Sequence, residues 1–148
     1  QVGSLVRSVM TAKLARMLGT LLDCRVPLLE ALQLTREGMS NVLYIDLVAR
    51  AEDSVSRGEP MSAVLGGGDL LSPCVQEAIR NGEQSGQIGT PLLQMADFLD
   101  EENDLIIKSA TRLIEPLILV LLGVMVGFIA VSMFLPLFDL VSSTQGGH

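Results

Sequence analysis

Four carboxylates in the C-terminal half of the chain have a spacing that could form one site. Asp97, Glu101 and Asp104 follow one another at intervals of four and three residues. Asp100 lies beside them. On a helix this spacing places the first three on one face, where like charges repel by a few tenths of a kcal/mol per pair. The face is either a solvated surface or a binding surface for a basic partner or a divalent cation.

The other residues that could carry chemistry are scattered. The sequence has one histidine, His148, and its two cysteines, Cys24 and Cys74, are far apart and in no motif of a metal or nucleophilic site. Glu115 is the best single residue for proton chemistry, with pairing to Arg112 as its structural alternative. We predict no catalytic site, no cofactor and no His/Cys metal centre. We expect both cysteines to be reduced and packed in the core or at a helix corner.

The glycine-rich segment 81–89, "NGEQSGQIG", could be a phosphate loop, a metal loop or a corner. It lacks the lysine of a Walker loop and the alternating carboxylates of an EF-hand. We therefore predict a corner between two helices, with Gly82 as a left-handed C-cap and Ser85 as an N-cap. Gly86 marks a turn or a close approach, and the Glu83 carboxylate lies near the N–H groups of the following helix.

The composition favours an all-α protein. Hydrophobic residues make up 49% of the chain, aromatic residues only 3%, and Trp is absent, so the apolar content is mainly aliphatic. Apolar periodicity and cap residues predict helices over 5–22, 27–38, 41–58, 72–82 and from about 87 onward, with a short turn in "EPMSAVLGGGD". We expect an all-α bundle whose last helix continues into a membrane span.

The segment from Pro116 to Phe138 carries no charged residue. As a helix it rises about 34 Å, which is enough to cross a bilayer. We predict three regions: a helical bundle over 1–112, a transmembrane helix over 113–140 and a short tail over 141–148.

Charges that flank the span predict its orientation. Lys108 and Arg112 precede it, whereas Asp139 and His148 follow it, so the bundle is expected in the cytoplasm and the tail outside. Within the span, Gly123 and Gly127 form a GxxxG pair that would let another membrane helix approach closely.

Charge is unevenly distributed over the bundle. Residues 1–57 carry seven basic and six acidic side chains, a net charge of +1, while residues 58–104 carry one basic and nine acidic side chains, a net charge of −8. The acidic half disfavours nucleic acid and anionic lipid headgroups as partners.

Four segments together resemble one protein family. The glycine-rich corner followed by "LLQMADFLDEE" is similar to the Gly-Glu-x-Ser-Gly signature of the GspF/PilC family, the inner-membrane platform proteins of type II secretion and type IV pilus assembly. The other three occur in the family's order: "ARMLGTLLDCRVPLLEALQLT", "SVSRGEPMSAVL" and "LIEPLILVLLGVMVGFIAVSMFLPLFDL". The sequence departs from the family pattern at Cys24-Arg25, where Ser-Gly is usual, and at Leu71-Ser72-Pro73, where an aromatic residue often precedes proline.

The resemblance implies a function and a position in a longer protein. The chain would be the second of two cytoplasmic domains, each an antiparallel bundle of about six short helices, plus the last membrane helix, and thus a fragment. It would act without catalysis as a platform in the bacterial inner membrane, with a secretion or pilus assembly ATPase, other inner-membrane subunits, pilin-like proteins and further copies of itself as partners. A small transporter or channel subunit is the alternative, for which charged or broken positions inside the span would be expected.

Overall fold

The computed structural model describes residues 2–146, and all regular secondary structure in that range is α-helical. Gly147 and His148 of the expected tail lie outside the described residues. The prediction of an all-α fold is confirmed. The helices are α1 (Val2–Asp23), α2 (Leu28–Gly38), α3 (Val42–Ser56), α4 (Ser62–Leu65), α5 (Pro73–Ser85) and α6 (Gly89–Gln145).

Local sequence signals set several helix ends. The Asn41 side chain accepts a hydrogen bond from the backbone N–H of Leu43 at 3.0 Å, so Asn41 is the N-cap of α3 as expected. Pro73 is the first residue of α5, a position at which a backbone N–H would have no partner within the helix, so the proline causes no loss of hydrogen bonding. The "EPMSAVLGGGD" segment contains the single turn of α4 in addition to the expected turn.

The bundle has one aliphatic core. On α1 the fully buried residues Leu14 and Leu18 are one helical turn apart, and on α6 Leu92, Ala96 and Leu99 follow the same periodicity. Each buried leucine contributes about 1.5–3 kcal/mol relative to an exposed one. The core therefore determines which face of α6 turns inward, and the opposite face is left to solvent.

Two glycines allow α1 and α6 to approach at close range. A Cβ atom on Gly89 would lie 2.8 Å from the Asp23 nitrogen and 3.1 Å from the Gly19 oxygen. A Cβ atom on Gly19 would lie 3.1 Å from the Gly89 oxygen. These are backbone atoms that cannot rotate away, so a side chain at Gly89 would force the two helices apart, and Gly19 leaves little room for one.

A small polar cluster connects α1, α3 and the loop after α4. The buried Tyr44 hydroxyl is positioned to donate to the carbonyl oxygens of Leu70, at 2.8 Å, and Arg7, at 3.0 Å. The Thr11 hydroxyl is 3.2 Å from the Tyr44 hydroxyl and donates to Arg7 O at 2.8 Å. Burial raises the pKa of Tyr44 because the phenolate would lose its hydration.

The chain separates into two compact units, Gln1–Leu105 and Ile106–His148. The second unit is formed by the C-terminal part of α6, and its described side chains are exposed. Among residues 2–146, one helix is long and apolar enough to cross a membrane, and it is α6. The expectation that the last helix continues into an apolar segment able to span a membrane is confirmed.

Candidate interaction surfaces

The four carboxylates lie on the side of α6 that faces away from the core. Asp97, Glu101 and Asp104 are exposed and Asp100 is half-buried. The spacing therefore produces the expected acidic face, which we define by these four residues.

Arg16 on α1 neutralises part of this face. Its guanidinium donates to Asp97 Oδ1 at 2.9 Å and, through Nε, to Asp100 Oδ2 at 3.2 Å, with a second, shorter contact between the terminal nitrogen and the same Asp100 oxygen. The hydrogen bonds that Arg16 donates to Asp100 and then to Asp97 raise the pKa of Arg16 above its ordinary value. Since these side chains are largely exposed, such a pair stabilises the fold by about 0.2–1 kcal/mol.

Two carboxylates of the acidic face keep their charge open to solvent. In the part of the chain that the structure describes, neither Glu101 nor Asp104 forms an ion pair. Residues 2–146 also contain no group of three or more His, Cys, Asp or Glu side chains arranged to hold a metal ion. The geometry thus gives the divalent-cation alternative no support and leaves a charged surface beside α1.

Large apolar side chains border the same carboxylates. Phe98 follows Asp97 directly and is 54% exposed, and Leu105 follows Asp104 and is 61% exposed. The sequence analysis did not single out these two residues. Aromatic residues are enriched in protein–protein interfaces relative to the rest of the protein surface.

The glycine-rich corner differs from its prediction at Gly82 and Ser85. Helix α5 continues to Ser85, and Gly86, with φ of 75°, is its left-handed C-cap. Gly82 is buried inside α5, where a Cβ atom would lie 2.8 Å from Ile88 Cα. The Ser85 hydroxyl donates back to Gly82 O at 3.3 Å and does not cap the next helix. The turn expected at Gly86 is present, and the close approach lies one helical turn earlier.

Glu83 has a different neighbour from the one expected. Both of its carboxylate oxygens accept the backbone N–H of Ser62 at 3.2 Å. The carboxylate therefore binds the start of α4 and not the start of α6. This contact holds α5 against the segment that follows α3.

A sequence profile of the family described as "Type II secretion system (T2SS), protein F" matches residues 14–136. The chain belongs to this family. It is similar to the type IV pilus assembly protein PilC of Thermus thermophilus, with 34% identity over 95% of this chain and 35% of the relative. It is also similar to the type II secretion system protein F of Xanthomonas campestris, with 38% identity over 96% of this chain and 35% of the relative.

A more distant relative is the protein transport protein HofC homolog of Escherichia coli, with 26% identity over 97% of this chain. The chain spans about a third of the length of each of these three relatives. The resemblance seen in the sequence is thereby confirmed.

The turn between α1 and α2, where Cys24-Arg25 departs from the family pattern, has an unusual backbone conformation. Arg25 has φ of 62° and is the one non-glycine residue with positive φ in the described range. A glycine would adopt this conformation without strain, whereas a residue with a Cβ atom is destabilised there by about 1–2 kcal/mol.

The two cysteines are not packed as expected. Cys24, in the turn after α1, and Cys74, in the first turn of α5, are both free and exposed. Their helices bury aliphatic neighbours such as Leu18 and Val75 instead.

Gly123 and Gly127 lie one helical turn apart on α6. Among the described residues, nothing comes within 4 Å of a Cβ atom built at either position. The GxxxG surface is therefore open in the single chain, and its use for helix packing stays a prediction.

Proposed function

We propose that this chain is part of a non-enzymatic platform in the bacterial inner membrane that supports type IV pilus assembly or type II secretion. The names of its relatives, a type IV pilus assembly protein and a type II secretion system protein, support these two processes. The observation that carries the membrane role is α6. Its first turns pack into the bundle core, and its uncharged stretch 116–138 has exposed apolar side chains throughout.

The two units have different partners in this function. The bundle faces the cytoplasm, where it contacts the assembly ATPase and other inner-membrane subunits. The membrane helix contacts pilin-like proteins as they enter or leave the filament. The basic residues Lys108 and Arg112 before the span support this orientation, because positive flanks stay on the cytoplasmic side.

A transporter or channel subunit is less well supported. Such proteins carry charged side chains or helix breaks at membrane depth. Between Pro116 and Phe138 the chain has no charge, and α6 continues as an α-helix through both prolines.

Complementation in cells tests the platform role. A strain that lacks the gene should lose surface filaments or secreted substrate, although pilin-like protein and ATPase accumulate normally, and the full-length gene should restore both. Full-length protein with Val126→Arg should fail to restore them, since a charge at the bilayer centre opposes insertion by about 2.5–3.5 kcal/mol. Val126→Ile is the matched control. Normal assembly in the deletion strain would contradict the proposed function.

A further inference from the structure

A groove runs between α5 and the first turns of α6. It has a volume of about 640 Å³, is open to solvent along one side and presents mainly apolar atoms. We call it the α5–α6 groove. It is lined by side chains of both helices, including Pro73, Cys74, Ala78, Pro91, Gln94 and Met95. An open apolar groove suits the side chains of a docked helix better than a small molecule, which is usually enclosed by its site.

The α6 side of the groove continues in an exposed aromatic residue. Pro91, Met95 and Phe98 follow one another at intervals of four and three residues, so they share one side of α6. Met95 packs against the core, whereas Phe98 is 54% exposed. Aromatic side chains bury a large area and dominate the energetics of interfaces. Phe98 is therefore an apolar anchor that a partner in the groove would contact.

The two helices run antiparallel along the groove. Gly82, near the end of α5, lies close to Ile88 just before α6, and Pro73, at the start of α5, lines a small cavity together with Leu99. Residue numbers therefore fall on α5 as they rise on α6. The α5 side of the groove, residues 73–81, rises about 12 Å, which matches about two turns of a docked helix.

Acidic side chains border the groove on both helices. Glu77 lines it on α5. On α6, Glu101 and Glu102 lie three and four residues after Phe98, so both are its neighbours on the helix surface. Arg80 contacts Glu77 at 3.7 Å, but in the part of the chain that the structure describes neither Glu101 nor Glu102 forms an ion pair. The border of the groove is therefore negatively charged.

The surrounding half of the bundle offers almost no basic side chain to balance this charge. Residues 58–104 carry nine acidic side chains and one basic side chain, Arg80, which is already paired with Glu77. Interfaces bring surfaces of complementary potential together, and like charges placed opposite each other oppose association. An acidic partner would be repelled, and so would a second copy that presented the same groove. The charge therefore favours a basic partner that is a different protein.

We propose that the α5–α6 groove binds a basic amphipathic helix of another protein subunit. The apolar side chains of that helix, at intervals of three and four residues, occupy the groove and pack on Phe98. Its lysine or arginine side chains extend to Glu101 and Glu102. The bundle lies in the cytoplasm in the proposed function, and in placing the partner there the inference rests on that function.

The two cysteines can report whether the groove is occupied. Cys74 lines the groove and is exposed. Cys24, the other cysteine of the sequence, is exposed in the turn after α1 and does not line it. A helix bound in the groove should cover the Cys74 thiol and leave the Cys24 thiol accessible. The alkylation rates of the two thiols therefore distinguish binding in the groove from non-specific coating of the bundle.

Thiol protection tests the proposal on the full chain in nanodiscs of zwitterionic lipid. The probe is a synthetic leucine–lysine helix of about five turns, with leucine at intervals of three and four residues. At about ten times its dissociation constant the probe leaves about one tenth of the grooves empty, so alkylation of Cys74 by an uncharged maleimide should slow about tenfold. Alkylation of Cys24 should be unchanged. A helix with glutamate in place of lysine should protect neither thiol.

Substitutions at exposed positions locate the bound probe by the same measurement. Phe98→Ala should weaken binding about tenfold, and the double variant Glu101→Lys and Glu102→Lys should weaken it as much and reduce its salt dependence. Leu43→Ala, at a 59% exposed position on α3, is the matched control for lost apolar area. Glu37→Lys, exposed on α2, is the control for charge. Both controls should bind the probe like the wild type.

Three results would overturn the inference: protection of both thiols, equal protection by the glutamate helix, or wild-type affinity in Phe98→Ala. Protection of Cys74 that occurs without the probe and grows with the concentration of the chain would assign the groove to a second copy instead. None of these measurements depends on filament assembly. Failure of the inference and failure of the proposed function are therefore distinguishable.

Discussion

Glu83 on α5 accepts the backbone N–H of Ser62 with both carboxylate oxygens, each 3.2 Å from the nitrogen. That N–H belongs to the first residue of α4 and would have no partner within so short a helix. The preceding residue, Met61, is fully buried. The carboxylate therefore fixes a loop segment that carries part of the core.

Two substitutions of Glu83 should distinguish the contribution of its charge to stability from that of its hydrogen bond. Glu83→Gln keeps an acceptor oxygen and should lower the free energy of unfolding by less than 1 kcal/mol, whereas Glu83→Ala leaves the Ser62 N–H unpaired and should lower it by about 1–2 kcal/mol. Denaturant unfolding of the chain in detergent measures both. Glu77→Ala, at an exposed position on α5, is the control, and an equal effect there would show that the contact contributes nothing.

The α1–α6 crossing should tolerate no side chain at Gly89. Gly89→Ala places a methyl group 2.8 Å from the Asp23 nitrogen and should destabilise the bundle by about 1–3 kcal/mol through overpacking. Gly68→Ala is a matched control, since no described atom lies within 4 Å of the Cβ position there. Thermal melting compares the two, and similar melting temperatures would disprove the tight crossing.

Substitution at Gly86 should act through the backbone alone. Its φ of 75° requires the left-handed region, but no described atom lies within 4 Å of its Cβ position. Gly86→Val should destabilise the bundle by about 1–2 kcal/mol, while Gly86→Asn should retain most of the stability because asparagine tolerates this conformation. If valine and asparagine were equivalent in melting experiments, backbone strain would not be the cause.

Tyr44 should make the bundle sensitive to alkaline pH. Because burial raises the pKa of the folded phenol above 10.0, the unfolded chain loses this proton first as pH increases. The contribution of Tyr44 to stability is therefore complete below about pH 10 and falls as pH rises toward the folded pKa. Urea unfolding at about pH 8 and pH 11 should show a smaller loss for Tyr44→Phe than for the wild type, and equal losses would contradict this linkage.

The exposed cysteines allow a direct test of orientation. A membrane-impermeant maleimide should label Cys24 and Cys74 only after cells are permeabilised, and Ser143→Cys should be labelled from outside in intact cells. Ser56→Cys, exposed at the end of α3, is a further cytoplasmic control, whereas Ser54 is buried and unsuitable. Labelling of Cys74 in intact cells would reverse the proposed orientation.

Features set by nearby residues could be predicted from the sequence. Asn41 caps α3 through a contact two residues away, and the uncharged stretch 116–138 identifies an apolar helix by itself. Such signals need no knowledge of how the helices pack.

Features set by distant residues could not be predicted in this way. The sequence predicts a helix end at Gly82, but this residue lies inside α5, where the absence of a side chain leaves room for Ile88. Glu83 binds Ser62, which lies 21 positions earlier in the chain. The spacing of the acidic face predicts only repulsion among its carboxylates, yet Asp97 and Asp100 hold Arg16, which is more than 80 positions away. The sequence shows Arg16 within the first predicted helix, but its pairing depends on the α1–α6 crossing.

The position of Tyr44 also gives the bundle an optical reporter. The chain has no tryptophan and one tyrosine, so emission excited near 280 nm comes from Tyr44. This ring is buried where α1, α3 and the loop at Leu70 meet. The membrane helix contains phenylalanine but no tyrosine, so it contributes almost nothing to this signal. Fluorescence can therefore follow unfolding of the bundle in intact lipid vesicles without a label.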